Sequence, residues 1–207
     1  MSVQWSCDSP WQMANKADDN ARVYANRHYN RHNPDSRQFA PPGRTLVLKT
    51  LGAFWITSWP YGEYVKHRWT DGLNSAWVCT AFRREPNCPH LASDLIKSAV
   101  AATRWYCLHG DNPTWRAPEP FCMVTFIDPA HVRPKRSYGR PSQAHSSRPG
   151  RCFIKAGFIA DGFTELGLPA FILTPDLYPE PSKPQDINWM SQNSPSELAA
   201  QIRKALR

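Results

Sequence analysis

The sequence predicts one mixed α/β domain, a central sheet flanked by helices. Three observations carry that expectation. Two strand-like runs at 45–50 and 53–59 are separated only by Leu51-Gly52, which makes a hairpin. A strand-like run at 74–83 and an apolar run at 121–127 bracket a strongly periodic helix over 91–108, the pattern of a strand–helix–strand crossover. The chain has 207 residues, enough for one domain with a substantial core, and 41% of them are apolar.

Taken in order, residues 1–18 read as an irregular segment. Residues 19–32 (DNARVYANRHYNRH) read as a helix capped by Asp18 or Asp19 and ended by Asn33-Pro34. A Pro- and Gly-rich loop leads to the hairpin, and a polar loop rich in Gly and Tyr follows it. Over 91–108, Leu95, Ala99, Ala102 and Tyr106 fall on one helix face, with Ile96, Val100 and Thr103 beside them. The run at 121–127 ends at Asp128-Pro129. Residues 133–150 are basic and rich in Gly, Pro and Ser, which marks a loop. A short helix begins at 151, and 163–174 reads as a final, kinked strand. A Pro-rich stretch then leads to a last helix starting at Ser194-Pro195. The domain proper is thus expected over 19–174, with 175–207 as an appendage.

Composition narrows the function. The formal charge is +8, from 25 Lys and Arg against 17 Asp and Glu, and Arg greatly outnumbers Lys. Guanidinium groups pair with phosphates through two donors, so this balance points to nucleic acid or a phosphorylated ligand. Nine Trp supply flat surfaces for a core or for base stacking. No apolar run reaches the roughly 20 residues of a membrane span, and Met1–Trp11 lacks the pattern of a secretory signal, so a cytoplasmic protein is expected. The six Cys include no Cys-x-x-Cys pair and read as reduced thiols rather than a zinc site.

Several residues carry candidate chemistry. Arg83 and Arg84 end the third strand, where crevices form in open α/β sheets; they bind a phosphate or carboxylate, or one of them pairs with Glu85 or Asp94. Asp128 ends a buried-type strand and is either a proton acceptor or metal ligand, or the first residue of an Asp-Pro turn. His28 and His32, four apart on the expected helix, join Asp128 in a His/His/carboxylate set suited to a transition metal such as iron; alternatively they belong to a basic face with Arg27 and Arg31. Tyr29 beside them is a ligand or a proton donor. Ser93 is placed to cap the main helix. Arg136, Arg140, Arg148 and Arg151, with Tyr138 interleaved, fit a loop that tracks a DNA backbone with one stacking ring.

An ordered series of pieces adds a family. His28-Tyr29 follows a basic helix, Pro42-Gly43 enters the hairpin, Thr80-Ala81-Phe82-Arg83-Arg84-Glu85 ends the third strand, and Ser93-Asp94-Leu95-Ile96 opens the main helix. Val124-Thr125-Phe126-Ile127-Asp128 ends the next strand. Cys152-Phe153-Ile154-Lys155-Ala156-Gly157-Phe158 resembles the late "KAGF" helix of GNAT (N-acyltransferase-like) proteins, and Gly162-Phe163-Thr164 with Gly167-Leu168 closes the series. The set, over roughly 20–173, resembles the Mom-like phage DNA-modification proteins, a GNAT-related group that alters the adenine amino group. The resemblance implies a GNAT-like sheet. It implies a transferase that adds an acyl-derived (glycinamide-like, carbamoylmethyl) group to adenine in double-stranded DNA, in the cytoplasm of a bacterial host, as protection from restriction. Tyr29, Asp128, His28 and Ser93 would then be catalytic, and Arg83, Arg84, Phe153 and Lys155 would face a small-molecule donor. Acetyl-CoA enzymes of this fold bind pyrophosphate on a Gly-rich loop after the central strand. Here that stretch is Arg83-Arg84-Glu85-Pro86-Asn87-Cys88-Pro89, without Gly and with two Pro that donate no amide. The donor therefore stays open, and an ordinary acyl-CoA-dependent N-acetyltransferase is the alternative expectation.

Overall fold

The computed structural model describes residues 9–34, 36–41, 43–59, 76–109, 121–132 and 149–185. Within them the elements are β1 (Gln12–Ala14), α1 (Asp19–Ala25), β2 (Arg44–Thr50), β3 (Ala53–Trp59), β4 (Trp77–Arg84), α2 (Ala92–His109), β5 (Met123–Phe126), α3 (Arg151–Lys155), β6 (Ile159–Phe163) and β7 (Pro169–Leu173). They build one mixed seven-stranded sheet in the order β1-β2-β3-β4-β5-β7-β6. Every neighbouring pair is antiparallel except β4 and β5, which α2 joins as a crossover. The expected C-terminal helix, Cys7 and most of the basic loop lie outside the described residues.

The hairpin forms because Leu51-Gly52 can turn tightly. Gly52 sits at φ 78°, and all residues from Arg44↔Trp59 to Thr50↔Ala53 pair in register. β3 is buried along its whole length. Ala53 and Trp55 face one core with Leu95, Ile96 and Ala99 of α2, while Phe54 and Ile56 face a second core with Ala21, Tyr24 and Ala25 of α1. Helices thus cover both faces of the sheet, and the strand reads as a continuous apolar run for that reason. Trp11 is fully buried and ties the N-terminal segment to α2, its indole N–H donating to the Leu95 carbonyl at 3.1 Å and to Ser98 Oγ at 2.9 Å.

Three expectations need correction. The segment before 19 contains β1, a three-residue edge strand too short to show periodicity. α1 stops at Ala25 rather than near 32. Asp18 caps it as expected, accepting from the Ala21 N–H at 2.8 Å. Beyond Asn26 the chain tightens into i→i−3 turns, and the Arg27 carbonyl accepts from Arg83 Nη1 at 2.6 Å instead of continuing the helix. The single strand expected over 163–174 is two strands, β6 and β7, joined by a turn at Thr164–Gly167. Gly167 at φ 77° allows the reversal.

Candidate functional site

β4 and β5 pair only at Trp77↔Met123, Val78↔Val124 and Cys79↔Thr125. β5 ends one residue later, whereas β4 runs on to Arg84. At the level where they part, β4 carries a bulge: Ala81 lies opposite Ile56 and Cys79 opposite Thr57, which leaves Thr80 as the extra residue. The Thr80 carbonyl accepts instead from Asn30 Nδ2 at 3.3 Å. Between the parting strands is a slot of about 110 Å³, bounded by Phe82, Ile127, Cys152 and Phe153 and reached by His28 and Tyr29. It adjoins a hollow of about 330 Å³ lined by Tyr29, Asn30, Val78, Phe126, Asp128 and Leu168. Thr80 and Cys79 line both.

Tyr29 stands at the boundary. Its hydroxyl accepts a long bond from the Asp128 N–H at 3.5 Å. His28 stacks with its ring at 4.5 Å and His131 at 5.3 Å. Burial is the main cause of a raised Tyr29 pKa, with the Asp128 charge adding to it and the Asp128 N–H opposing it, so the hydroxyl keeps its proton at neutral pH. His28 is pushed down to about 4, first by burial and then by the Arg83 charge. It is neutral at pH 7. Its Nδ1 accepts from the Asn30 N–H at 3.2 Å.

Asp128 is a turn residue that also binds a neighbouring imidazole. As a turn residue it accepts from the Ala130 N–H at 2.8 Å through Oδ1, and its backbone carbonyl accepts from Val132 at 3.0 Å. Through Oδ2 it meets His131 Nδ1 at 2.7 Å. The His131 bond, followed by the Ala130 N–H, holds the carboxyl below its ordinary range. Tyr29, Asp128 and His28 are thus brought together, and His131 joins them unforeseen. Its signal was present as Asp128-x-x-His131, a spacing that closes a turn onto its own carboxylate. Asn30 was also missed, and Thr80 entered only as the first residue of the run that ends the third strand.

The arginines at the end of β4 are occupied by the protein itself. Arg83 Nε and Nη2 donate to Glu85 at 2.9 and 3.4 Å, and Nη1 takes the Arg27 carbonyl. Glu85 is 4% exposed, and Arg27 approaches it at 3.5 Å. Arg84 donates to the carbonyls of His90 and Cys88, both at 2.6 Å, and so closes the β4–α2 loop around its own guanidinium. The ion-pair alternative applies to Arg83, and these contacts supply the reason: Glu85 is nearly buried and needs a cation. Ser93 lies in the first turn of α2, where its hydroxyl donates to Asp94 at 3.4 Å. Phe153 is buried at the slot, whereas Lys155 and Arg151 are exposed on α3. Arg136, Tyr138, Arg140 and Arg148 lie outside the described residues.

Among the described residues no three His, Cys, Asp or Glu side chains gather in a metal-binding group. His28 and His32 lie beyond the end of the helix expected to carry both, and His32 is exposed in the following loop. Cys79, Cys88 and Cys107 are buried free thiols, and burial raises the pKa of Cys79 and Cys152. No described helix is long and apolar enough to cross a membrane.

Fold and site together define a mixed α/β protein whose single sheet is opened between two parallel strands, with a tyrosine and an aspartate–histidine pair at the opening. No family model, curated protein or solved structure matches the chain.

Proposed function

We propose that the chain is a GNAT-like transferase of the Mom-like kind. It adds a small acyl-derived, carbamoylmethyl-like group to the exocyclic amine of adenine in DNA and so protects that DNA from restriction. The observation that carries this reading is the parting of β4 and β5, with the protonated Tyr29 hydroxyl and the Asp128–His131 pair at its mouth. The hollow of about 330 Å³ falls in the size range of small-ligand clefts and takes the extruded base. The slot takes the donor arm.

An exocyclic base amine is a poor nucleophile because its lone pair is delocalised into the ring. It needs a proton acceptor at the nitrogen and a proton donor at the leaving group. The amine nitrogen bonds to the donor carbon as the bond from that carbon to the leaving group breaks. The amine proton passes to the Asp128–His131 pair, and Tyr29 gives its own proton to the leaving group. Both Asp128 oxygens accept hydrogen bonds and its carboxyl is held acidic, so Asp128 alone is a weak base. Orienting His131 through Nδ1 leaves Nε2 as the accepting lone pair.

The test is mass spectrometry of nucleosides from cells expressing the full chain. A mass-shifted deoxyadenosine is the expected result, and unmodified nucleosides alongside soluble, folded protein overturn the reading. The alternative, an acyl-CoA-dependent N-acetyltransferase, draws support from the same slot. It is opposed by the β4–α2 loop, which closes on Arg84. Tight acetyl-CoA binding in calorimetry would favour it.

A further inference from the structure

We infer that the outer face of His131 is a stacking site for a DNA base, the one flanking the base held in the hollow. This rests on the DNA reading above and adds a specific contact to it. Three rings form a column. His28 lies 4.5 Å from Tyr29 at an interplanar angle of 26°, and Tyr29 lies 5.3 Å from His131 at 10°. The inner end is fixed by the edge contact of His28 with the fully buried Phe54 at 6.1 Å. Tyr29 already stacks with two rings, whereas His131, whose side chain is 58% exposed, has ring surface left for another.

This ring is held in place. Nδ1 is bonded to Asp128 at 2.7 Å, and that carboxylate is itself fixed by the Ala130 N–H at 2.8 Å. A flat ring held in this way beside Tyr29 loses little freedom when a second flat ring lands on it. The identity of that ring follows from charge: the whole chain carries +8, which favours a polyanionic partner. A π ring with anions on either side of it along a chain is a nucleotide in a strand, and every base offers a face for stacking whatever the sequence.

The experiment uses the full chain and two labelled single strands of equal length, oligo(dA) and a strand of abasic sites, with binding read by fluorescence anisotropy. His131→Ala is expected to weaken oligo(dA) binding about five- to tenfold and to leave the abasic strand unaffected. His131→Phe should restore most of the loss, since it keeps the ring and discards the imidazole. His131→Trp adds a reporter whose emission is quenched by oligo(dA) and not by the abasic strand. Equal losses on both strands, no loss on oligo(dA), or unquenched Trp emission at saturation overturns the stacking site and leaves the DNA reading standing. Wild-type protein that binds neither strand nor duplex overturns both.

Discussion

The β2–β3 hairpin and the β4–β5 pair belong to one sheet and are built in opposite ways. The hairpin is paired from end to end, and its central strand is buried on both faces. The parallel pair holds for three residue pairs, then parts at a bulge. In the hairpin, the ladder pairs the backbone and the two cores bury the side chains. At the opening, the bulge carbonyl turns to Asn30, the aromatic column fills one side, and titratable groups reach solvent. A sheet interrupted in this way needs a rigid neighbour, and β3 supplies it. Stability is therefore expected to reside in one region and chemistry in the other.

The largest expected effect breaks the rigid side. Trp55 is fully buried and packs against Phe82 and Phe153, which themselves border the slot. Trp55→Ala should cost about 3–5 kcal/mol in urea unfolding. Tyr29→Phe, at the opening, should cost less than about 1 kcal/mol by the same measurement. Similar losses for the two would erase the distinction.

Gly150 lies between the regions. It sits at φ 83°, and a Cβ there would fall 2.2 Å from the Phe171 ring. Gly150→Ala should cost about 2–4 kcal/mol, combining left-handed strain with overpacking. It should also displace α3 from the slot, which loss of modification would register separately from the lowered unfolding midpoint.

His28 provides a smaller, pH-dependent effect. Its folded pKa of about 4 lies below the unfolded value, so the unfolded chain binds the proton more readily. Its contribution to stability is complete above about pH 6.5 and falls as the pH drops towards the folded pKa, with about 2 kcal/mol lost by pH 5. His28→Gln should remove that part of the pH dependence. A wild-type unfolding midpoint that stays flat from pH 7 to 5 would contradict the buried neutral imidazole.

The smallest effect is that of Asp128. Its depressed pKa means that its contribution is present above the ordinary carboxylate range and is lost as pH falls through the folded value. The difference in melting temperature between wild type and Asp128→Asn should shrink on acidification. A difference that grows instead would reverse the sign.

The regions also differ in how legible they were in the sequence. The hairpin and α2 were readable because each repeats one local preference over many residues: apolar runs around Leu51-Gly52, and a stripe through Leu95, Ala99 and Ala102. The end of α1 was not readable, because Arg83, from 56 residues further on, takes the carbonyl that the helix would have used. Asp128 could be picked out by residue type and strand-end position, and Tyr29 by its place beside His28. The role of Arg83 could not, since whether a guanidinium waits for a ligand or serves a neighbour depends on Glu85 being buried. His131 was hidden by its exposed turn, where charged and polar residues are common for reasons unrelated to a site.

The proposed chemistry at the opening between β4 and β5 runs through Tyr29 and Asp128. Its most direct test is the modification level of adenine in DNA from cells expressing wild type, Tyr29→Phe and Asp128→Asn at matched amounts of folded protein. The predicted result is modification in wild type and none in either variant, with DNA binding retained in both. Full modification in both variants would contradict it.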